Sequence, residues 1–276
     1  MTLHPVALRA ADAYLAMADA AAPGLVEALY VVGSAALQDF RPGLSDLDFV
    51  AVTSGRIGPA ALAALADGHA DLARTRPAPP LDGIYVTWDE LRAGPLEVPE
   101  GPCVREGRFL ASGCHERHPA TWGRLGSDAV TVRGPLCAGT VIWRDPARLE
   151  RWVLGTIDGY WQPWLARGAR AVSRRGVVAL RPRTVEAGVL GICRLHYALV
   201  TGLVPSKSDA GLYGLITFPR QWHRIIDEAL RIRREPGSAS FYRNPYARRR
   251  EMLAFVRTAA DDARALAAAT RVRRPA

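Results

Sequence analysis

The sequence has almost no lysine, since Lys207 is the only one among its 36 lysine and arginine residues. Arginine therefore supplies nearly all the positive charge, which gives a formal net charge of +9 and a pI near 9.9. Abundant Arg, Ala, Gly and Pro with so little lysine is typical of codon bias toward G and C, so part of the basicity is compositional. The alternative is a surface that binds nucleic acid or another polyanion. No aromatic-interleaved basic motif, zinc finger or helix-turn-helix signature accompanies the charge, so nucleic acid is not a favoured partner.

Long apolar runs and paired cysteines are lacking as well. No run reaches the length that spans a membrane, and residues 1–22 have neither the basic start nor the apolar core of a signal peptide. The cysteines are scattered without paired spacing, which suits buried reduced thiols. They are Cys103, Cys114, Cys137 and Cys193. These absences predict a cytoplasmic protein without a membrane partner.

A short cluster of Cys114, His115 and His118 is the only group that invites a zinc assignment. No second ligand pair follows it at a spacing suited to zinc. We therefore expect no zinc site.

The clearest chemistry lies between Gly33 and Val50. An apolar strand over 25–32 leads into Gly33-Ser34, and a second apolar strand then begins around Asp46 and Asp48. Side chains two residues apart on a strand share a face, so two carboxylates are expected side by side. Like charges that close favour a cation between them, and Mg²⁺ prefers such oxygens together with substrate phosphates. Gly33 leaves space for phosphate beside the backbone, and Ser34 adds a hydroxyl.

The same residues permit a plainer interpretation, since many Asp-x-Asp pairs are solvated ends of strands or loops. The Gly-Ser turn before the pair and the apolar run over 49–52 argue against an ordinary surface loop. Together, Gly33-Ser34 and Asp46-x-Asp48 resemble the signature of the DNA-polymerase-β-like nucleotidyltransferase superfamily. That resemblance implies a nucleotidyltransferase fold.

The apolar periodicity predicts different architectures in the two parts of the chain. In the first part it predicts helices over 5–22, 58–74 and 119–125 and strands over 25–32, 47–53, 81–87 and 130–132. Residues 94–117 are expected to be irregular, with an isolated strand candidate at 96–98. From residue 145 onward, long amphipathic segments predict a helical bundle. These segments are 146–166, 185–201, 219–234 and 246–270.

The predicted fold class is therefore α+β, and the length suits two modest domains. Residues 1–144 are expected to form an N-terminal nucleotidyltransferase domain with a mixed β-sheet. Residues 145–276 are expected to form an all-α helical-bundle domain.

Sequence motifs in the helical half point to one family within that superfamily. Its sequences Arg194-Leu195-His196-Tyr197, Val200-Thr201-Gly202 and Pro205-Ser206-Lys207 are similar to the aminoglycoside 3''/9-adenylyltransferases, the streptomycin and spectinomycin resistance enzymes. With the Gly-Ser and Asp-x-Asp core and the junction Val132-Arg133-Gly134-Pro135, the resemblance covers nearly the whole chain in order. It implies that ATP and metal bind in the N-terminal domain. It further implies that the antibiotic binds in a cleft closed by the helical domain, and that AMP passes to a hydroxyl.

Carried over residue by residue, the resemblance implies a role for each matching position. Asp46 and Asp48 would hold Mg²⁺ and act in catalysis, and Asp82 would be the base that takes the proton of the acceptor hydroxyl. The family has glutamate there, so Asp82 is one methylene shorter, and its alternative is a solvated residue ending a Pro-rich loop. The residues expected to bind the nucleotide are Gly33, Ser34, Ser45, Asp46, Arg194, Lys207 and Arg233.

The acceptor site departs from the family's pattern. The family grips its polycationic drug with a tryptophan and acidic residues before the Arg194 helix, whereas residues 167–183 contain six arginines and no acid. Glu186 is the nearest candidate to contact the acceptor, and Arg233 stands where the family has a tyrosine near the nucleotide. A basic loop would repel streptomycin by about 1 kcal/mol per close charge pair in water.

These observations favour a Mg²⁺-dependent enzyme that transfers AMP from ATP to a hydroxyl of an aminoglycoside-like small molecule. A second interpretation keeps the reaction but changes the acceptor to a neutral or anionic metabolite or a protein. A third is a nucleotide-binding module with weakened catalysis. A fourth, nucleic-acid binding, rests on charge alone.

Lys207 is expected at the start of a helix, where it would reach the triphosphate. The alternative interpretation of Lys207 is a solvated lysine in a turn.

Overall fold

The chain divides into two units, Met1–Asp145 and Pro146–Ala276. The computed structural model describes residues 2–76, 79–137, 140, 142–170 and 174–273. The first unit is built on a mixed sheet, and the described part of the second is helical. The predicted α+β class is thereby confirmed. Among the described residues, no helix is both long and apolar enough to cross a membrane.

The first unit alternates helices and strands along most of its length. Its elements are α1 (Pro5–Ala21), β1 (Val26–Val31), α2 (Gly33–Ala36), β2 (Leu47–Thr53), α3 (Pro59–Thr75), β3 (Leu81–Thr87), α4 (Trp88–Ala93), β4 (Gly101–Arg105), β5 (Arg108–Gly113), α5 (Pro119–Ser127) and β6 (Val130–Arg133). The sheet order is β5-β4-β3-β2-β1-β6. Among the strands of the described residues, only β2 and β3 pair in parallel, with α3 in the connection between them, and the other neighbours are antiparallel.

Apolar side chains cover both faces of this sheet. Phe49 and Ala51 lie in a core with residues of α1 and α3, whereas Val50 and Val52 lie in a second core with Trp122 of α5. Because successive side chains of a strand point to opposite faces, β2 and β3 are buried at nearly every position. The second residue of each strand is an aspartate that stays partly exposed, and these aspartates mark one end of the sheet.

The prediction of an irregular segment over 94–117 is wrong for residues 101–113. Strands β4 and β5 form a hairpin there, and the strand predicted at 96–98 does not form, since residues 95–97 lie in a turn. The hairpin turn is Glu106-Gly107, whose residues have φ of +52° and +78°. Two successive positive φ values are typical of the tight turns that join antiparallel strands. This hairpin is not evident from the sequence, because β4 contains Gly and Pro and β5 lacks a regular alternation of apolar and polar residues.

Helix α4 was also absent from the sequence prediction. Thr87 caps it by accepting a hydrogen bond from the Glu90 N–H at 3.2 Å, and Glu90 Oε2 accepts one from the Thr87 N–H at 2.9 Å. This reciprocal capping box has the pattern Thr-x-x-Glu, which is visible in the sequence.

The second unit consists of helices gathered around α9. Its elements are α6 (Pro146–Thr156), a π-helical turn (Ile157–Trp161), α7 (Gln162–Ala169), α8 (Arg174–Val178), α9 (Pro182–Thr201), α10 (Lys207–Thr217), a 3₁₀ turn (Arg220–Trp222), α11 (His223–Arg234) and α12 (Pro245–Arg273). Helix α9 contacts α6, α10, α11 and α12. The segment predicted as one helix over 146–166 is interrupted by the π turn just before Pro163. Proline lacks an N–H and its ring crowds the carbonyl four residues earlier, and a wider turn accommodates it.

The cysteines remain reduced. Cys103, Cys137 and Cys193 are buried as predicted, whereas Cys114 is exposed in the turn that follows β5. Burial raises the pKa of the Cys193 thiol, which therefore stays protonated.

Candidate active site

The register of β2 and β3 brings two predicted site residues together. Leu47 is aligned with Leu81, and Asp48 with Asp82. Aligned residues of a parallel pair point to the same face, so these two carboxylates project side by side. Asp46 lies one residue before β2, and its negative charge contributes to a raised pKa of Asp48. The three predicted catalytic carboxylates are therefore grouped at one end of the sheet.

The Asp48 side chain packs closely against the backbone of Gly33. Its φ is +68°, in the left-handed region that favours glycine. A β-carbon on Gly33 would lie 2.7 Å from Cγ of Asp48, which is closer than such atoms approach. The backbone is also tied here, because the Val32 N–H donates to the Asp48 carbonyl at 3.0 Å. Both conformation and space thus require glycine next to this carboxylate.

Ser34 and Ser45 have different surroundings. Ser34 is partly buried in α2, and its carbonyl accepts a hydrogen bond from the Asp39 N–H at 2.9 Å. Ser45 is 7% exposed, and its Oγ accepts a hydrogen bond from the Arg41 N–H at 3.0 Å. Ser45 therefore closes the loop before Asp46, while its hydroxyl hydrogen can still donate.

The environment of Asp48 disfavours its ionised form when no cation is nearby. Burial raises the pKa of Asp48 to about 7, the carboxylates of Glu116, Asp82 and Asp46 act in the same direction, and Arg124 opposes them. A partly buried carboxylate among other carboxylates gains from a nearby cation.

Two residues of this site were missed as functional candidates. His115 Nε2 lies 2.6 Å from Asp82 Oδ1, and Glu116 adds a fourth carboxylate beside Asp48. Burial raises the pKa of Glu116, but His118, Arg124 and a hydrogen bond from Thr121 outweigh it and hold this pKa well below its usual range. The sequence showed His115 and His118 only as members of a doubtful zinc cluster, and neither spacing nor periodicity indicated their proximity to the sheet.

The donor set fits a magnesium ion bound jointly with phosphate. No group of three or more His, Cys, Asp and Glu side chains is arranged to hold a metal within the described parts of the chain. Mg²⁺ commonly takes only one or two carboxylates and completes its shell with water and substrate phosphates. Asp46 and Asp48 provide such a pair, and the missing β-carbon of Gly33 leaves room beside Asp48.

The second unit gathers three further predicted residues. Glu186 Oε1 lies 3.2 Å from Nη1 of Arg233 and 3.7 Å from Nζ of Lys207. Arg233 is 4% exposed, whereas the Lys207 side chain is 39% exposed. Glu186, predicted to contact the acceptor, is therefore already paired with two cations that were predicted to bind the nucleotide.

Lys207 is the first residue of α10, as predicted. Ser206 caps this helix, its Oγ accepting a hydrogen bond from the Asp209 N–H at 3.0 Å. Arg194 of α9 donates from Nε to the Pro205 carbonyl at 3.1 Å, so it supports the turn that precedes Lys207.

The chain is similar to known proteins in part of its sequence and in its fold. Residues 174–260 match the family model described as "Aminoglycoside adenylyltransferase, C-terminal domain". The chain is similar in fold to the crystal structure of spectinomycin adenyltransferase AAD(9) from Enterococcus faecialis with ATP and spectinomycin. The TM-score is 0.64 at 12% sequence identity, over 90% of this chain and 98% of that chain. A search of curated protein sequences gives no match.

The resemblance to aminoglycoside adenylyltransferases is thereby confirmed, by the family model for residues 174–260 and by the structural match for the fold. Together these findings support a nucleotidyltransferase enzyme.

Proposed function

We propose that this chain is a Mg²⁺-dependent adenylyltransferase that moves AMP from ATP to a hydroxyl of an aminoglycoside-like small molecule. The observation that carries the proposal is the alignment of Asp48 with Asp82 beside the Gly33 turn. The family match of residues 174–260 and the likeness to a structure containing ATP and spectinomycin support it. The cytoplasmic location expected from the sequence is part of this proposal.

The donor side of the reaction is assigned to residues near Gly33. Asp46 and Asp48 would hold Mg²⁺, which when bound neutralises phosphate charge and polarises the phosphoryl oxygens. Gly33, Ser34 and Ser45 would contact ATP. Arg194, Lys207 and Arg233 of the second unit are proposed as further nucleotide contacts.

The acceptor side is assigned to Asp82. In the proposed reaction an acceptor oxygen forms a bond to the α-phosphorus of ATP, and the bond from that phosphorus to the bridging oxygen breaks. Pyrophosphate leaves, and the hydroxyl proton passes to Asp82. A carboxylate within hydrogen-bond reach of the hydroxyl is suited to this general-base role.

A less cationic acceptor is the second candidate. Residues 167–183 contain no acid, and Glu186 is already paired with Arg233 and Lys207. A compensated carboxylate attracts a polycation less than an unpaired one does. This pairing supports a neutral or weakly charged acceptor over streptomycin, with the same transfer reaction.

The test is an adenylylation assay with labelled ATP and Mg²⁺. The panel contains spectinomycin, streptomycin, uncharged polyols and the protein itself, and mass spectrometry detects the gain of one AMP. We expect transfer to a small molecule in the wild type and none in Asp82→Asn. Labelled protein would instead identify a protein acceptor, and ATP binding without transfer to any acceptor would contradict the proposed enzyme and favour a nucleotide-binding module.

A further inference from the structure

A histidine outside the predicted site holds the proposed base. His115 Nε2 and Asp82 Oδ1 are 2.6 Å apart, and the two side chains are 23% and 14% exposed. The pair therefore lies at the accessible end of β3 and not in the apolar core. A carboxylate can only accept hydrogen bonds, so Nε2 carries the hydrogen in this contact.

The turn that carries His115 is fastened to the strand that carries Asp82. Strand β5 ends at Gly113, and in the following turn the Arg117 N–H donates to the Cys114 carbonyl at 3.2 Å. Arg117 is 6% exposed, and its Nη2 donates to the Tyr85 carbonyl of β3 at 2.6 Å. Strand β3 thus binds both the Arg117 side chain at the end of the turn and the His115 imidazole that the turn presents.

The turn also includes a residue in a costly conformation. Glu116 has φ +53°, a conformation that non-glycine residues adopt only where their surroundings compensate for the strain. Here the Thr121 hydroxyl donates to Glu116 Oε2 at 2.6 Å, and His118 Nε2 lies 3.6 Å from the same oxygen. The two neighbouring side chains are therefore held in place by separate partners, Glu116 by α5 and His115 by β3.

The geometry points to His115 as a positioning residue that fixes the Asp82 carboxylate, leaving Oδ2 to take the proton of the acceptor hydroxyl. One bond to Oδ1 restricts rotation about the last torsion of a short side chain. The expected effect of His115 on kcat rests on the proposed function, whereas the hydrogen bond between His115 and Asp82 does not.

The charges around His115 agree with this arrangement. The hydrogen bond to Asp82 raises the pKa of His115, and Glu116 acts in the same direction. Burial and Arg105 oppose the rise without reversing it.

The test compares His115→Gln with His115→Leu. The glutamine amide can still donate to Asp82, whereas leucine cannot. If wild type transfers AMP, we expect His115→Leu to lower kcat about 10-fold or more with KM for ATP unchanged, since small misplacements of reacting groups are costly. We expect His115→Gln to recover a large part of that loss. Equal losses in the two variants, with both folded by thermal melting, would overturn the positioning role.

A second measurement does not depend on activity. Imidazole NMR on the ¹⁵N-histidine-labelled protein, with the His115 signal assigned from its loss in His115→Gln, gives its pKa and tautomer. We expect a protonated Nε2 and a pKa above 6.5 that falls in Asp82→Asn. A pKa unmoved by that substitution would overturn the pair. A wild type that transfers no AMP would contradict the proposed function, and the NMR result would still decide whether Asp82 and His115 are bonded.

Discussion

Asp48 and Asp82 occupy aligned positions in the parallel pair of β2 and β3, which sets two carboxylates side by side. Their neighbours along both strands are buried in the cores on the two faces of the sheet. Backbone pairing and apolar packing therefore hold the two carboxylates together. Substitutions that remove the charge of Asp48 or Asp82 should leave the pairing of β2 and β3 intact.

Asp46→Asn and Asp48→Asn should each lower AMP transfer by about two orders of magnitude or more while the protein stays folded. A metal supplies several kcal/mol of charge stabilisation, and each 1.36 kcal/mol is tenfold in rate. Transfer from labelled ATP measures the loss, and thermal melting verifies the fold. Asp67→Asn, on the exposed side of α3, is the matched control. Near-full activity of either site variant with Mg²⁺ would rule out the metal assignment.

Gly33→Ala should reduce both stability and nucleotide binding. Alanine at position 33 would need a positive φ, and its methyl group would overlap the Asp48 carboxylate. The free energy of unfolding should therefore fall by more than about 1 kcal/mol. Chemical denaturation and ATP titration measure the two effects. Gly155→Ala in α6 has open space around the new methyl group and should be neutral or stabilising. If both alanine variants behave alike, the close fit of Gly33 and Asp48 has no energetic importance.

Lys207→Ala should weaken ATP binding several-fold or more, since a charge-assisted contact contributes roughly 1.5–3 kcal/mol. Lys207→Arg should restore only part of it, because a planar guanidinium is bulkier than an ammonium at a crowded triphosphate. Calorimetric titration with ATP measures these affinities. Arg257→Ala, an exposed site on α12, controls for the loss of one positive charge. Unchanged ATP affinity in Lys207→Ala would contradict the assignment of Lys207 to the nucleotide.

Streptomycin should bind more weakly than less charged acceptors. Residues 167–183 carry six arginines and no acid, and Glu186 is paired with Arg233 and Lys207. Calorimetry at low salt measures the difference, and Arg183→Glu should strengthen streptomycin binding more than Arg257→Glu does. Tight streptomycin binding that weakens with salt would show instead that acidic residues, Glu186 or Glu97 among them, face the drug.

Folding stability should fall as the pH drops from 6.5 toward 4, in part because of His69. Burial lowers the pKa of His69 from 6.5 to about 4, so the unfolded chain binds more protons across this interval. The stabilisation is complete above pH 6.5, is lost progressively below it, and amounts to about 3 kcal/mol. The ring is bonded to the Tyr85 hydroxyl at 2.8 Å through Nε2, and Nδ1 has no hydrogen-bond partner in the described structure.

Denaturation of wild type and His69→Gln across this pH range measures that contribution as the difference between the two curves. Glutamine does not titrate, so its variant should lose less stability on acidification. Parallel curves would mean that His69 is protonated in the folded protein as readily as in the unfolded chain.

The sequence predicted most of the sheet because its central strands are marked by local signals. Strands β2 and β3 have the predicted bounds, since each is a continuous apolar run interrupted only by its aspartate. The Gly33 turn was recognised from the Gly-Ser dipeptide that follows the first apolar strand, and its φ of +68° explains why glycine is favoured there. Local composition was sufficient wherever one residue type was required by backbone conformation or by burial on both faces.

The contacts of His115 could not be predicted in that way. Its partner Asp82 is distant in sequence, and the hairpin of β4 and β5 that brings them together has no regular alternation. Glu186 illustrates the same limit, because its pairing with Arg233 and Lys207 depends on how α9, α10 and α11 pack. Residue type indicated the chemistry in both cases, and only the fold assigned the partners.

The connection from β2 through α3 to β3 also bears on how the protein folds. Hairpins such as β4–β5 close short loops, whereas a parallel pair forms only after the intervening helix has been enclosed, at a larger entropic cost. Asp48 and Asp82 should therefore meet late in folding, and their mutual repulsion should slow the final step and not the first. Substitutions that delay the docking of α3 would then postpone the meeting of Asp48 and Asp82, even though neither residue lies in α3.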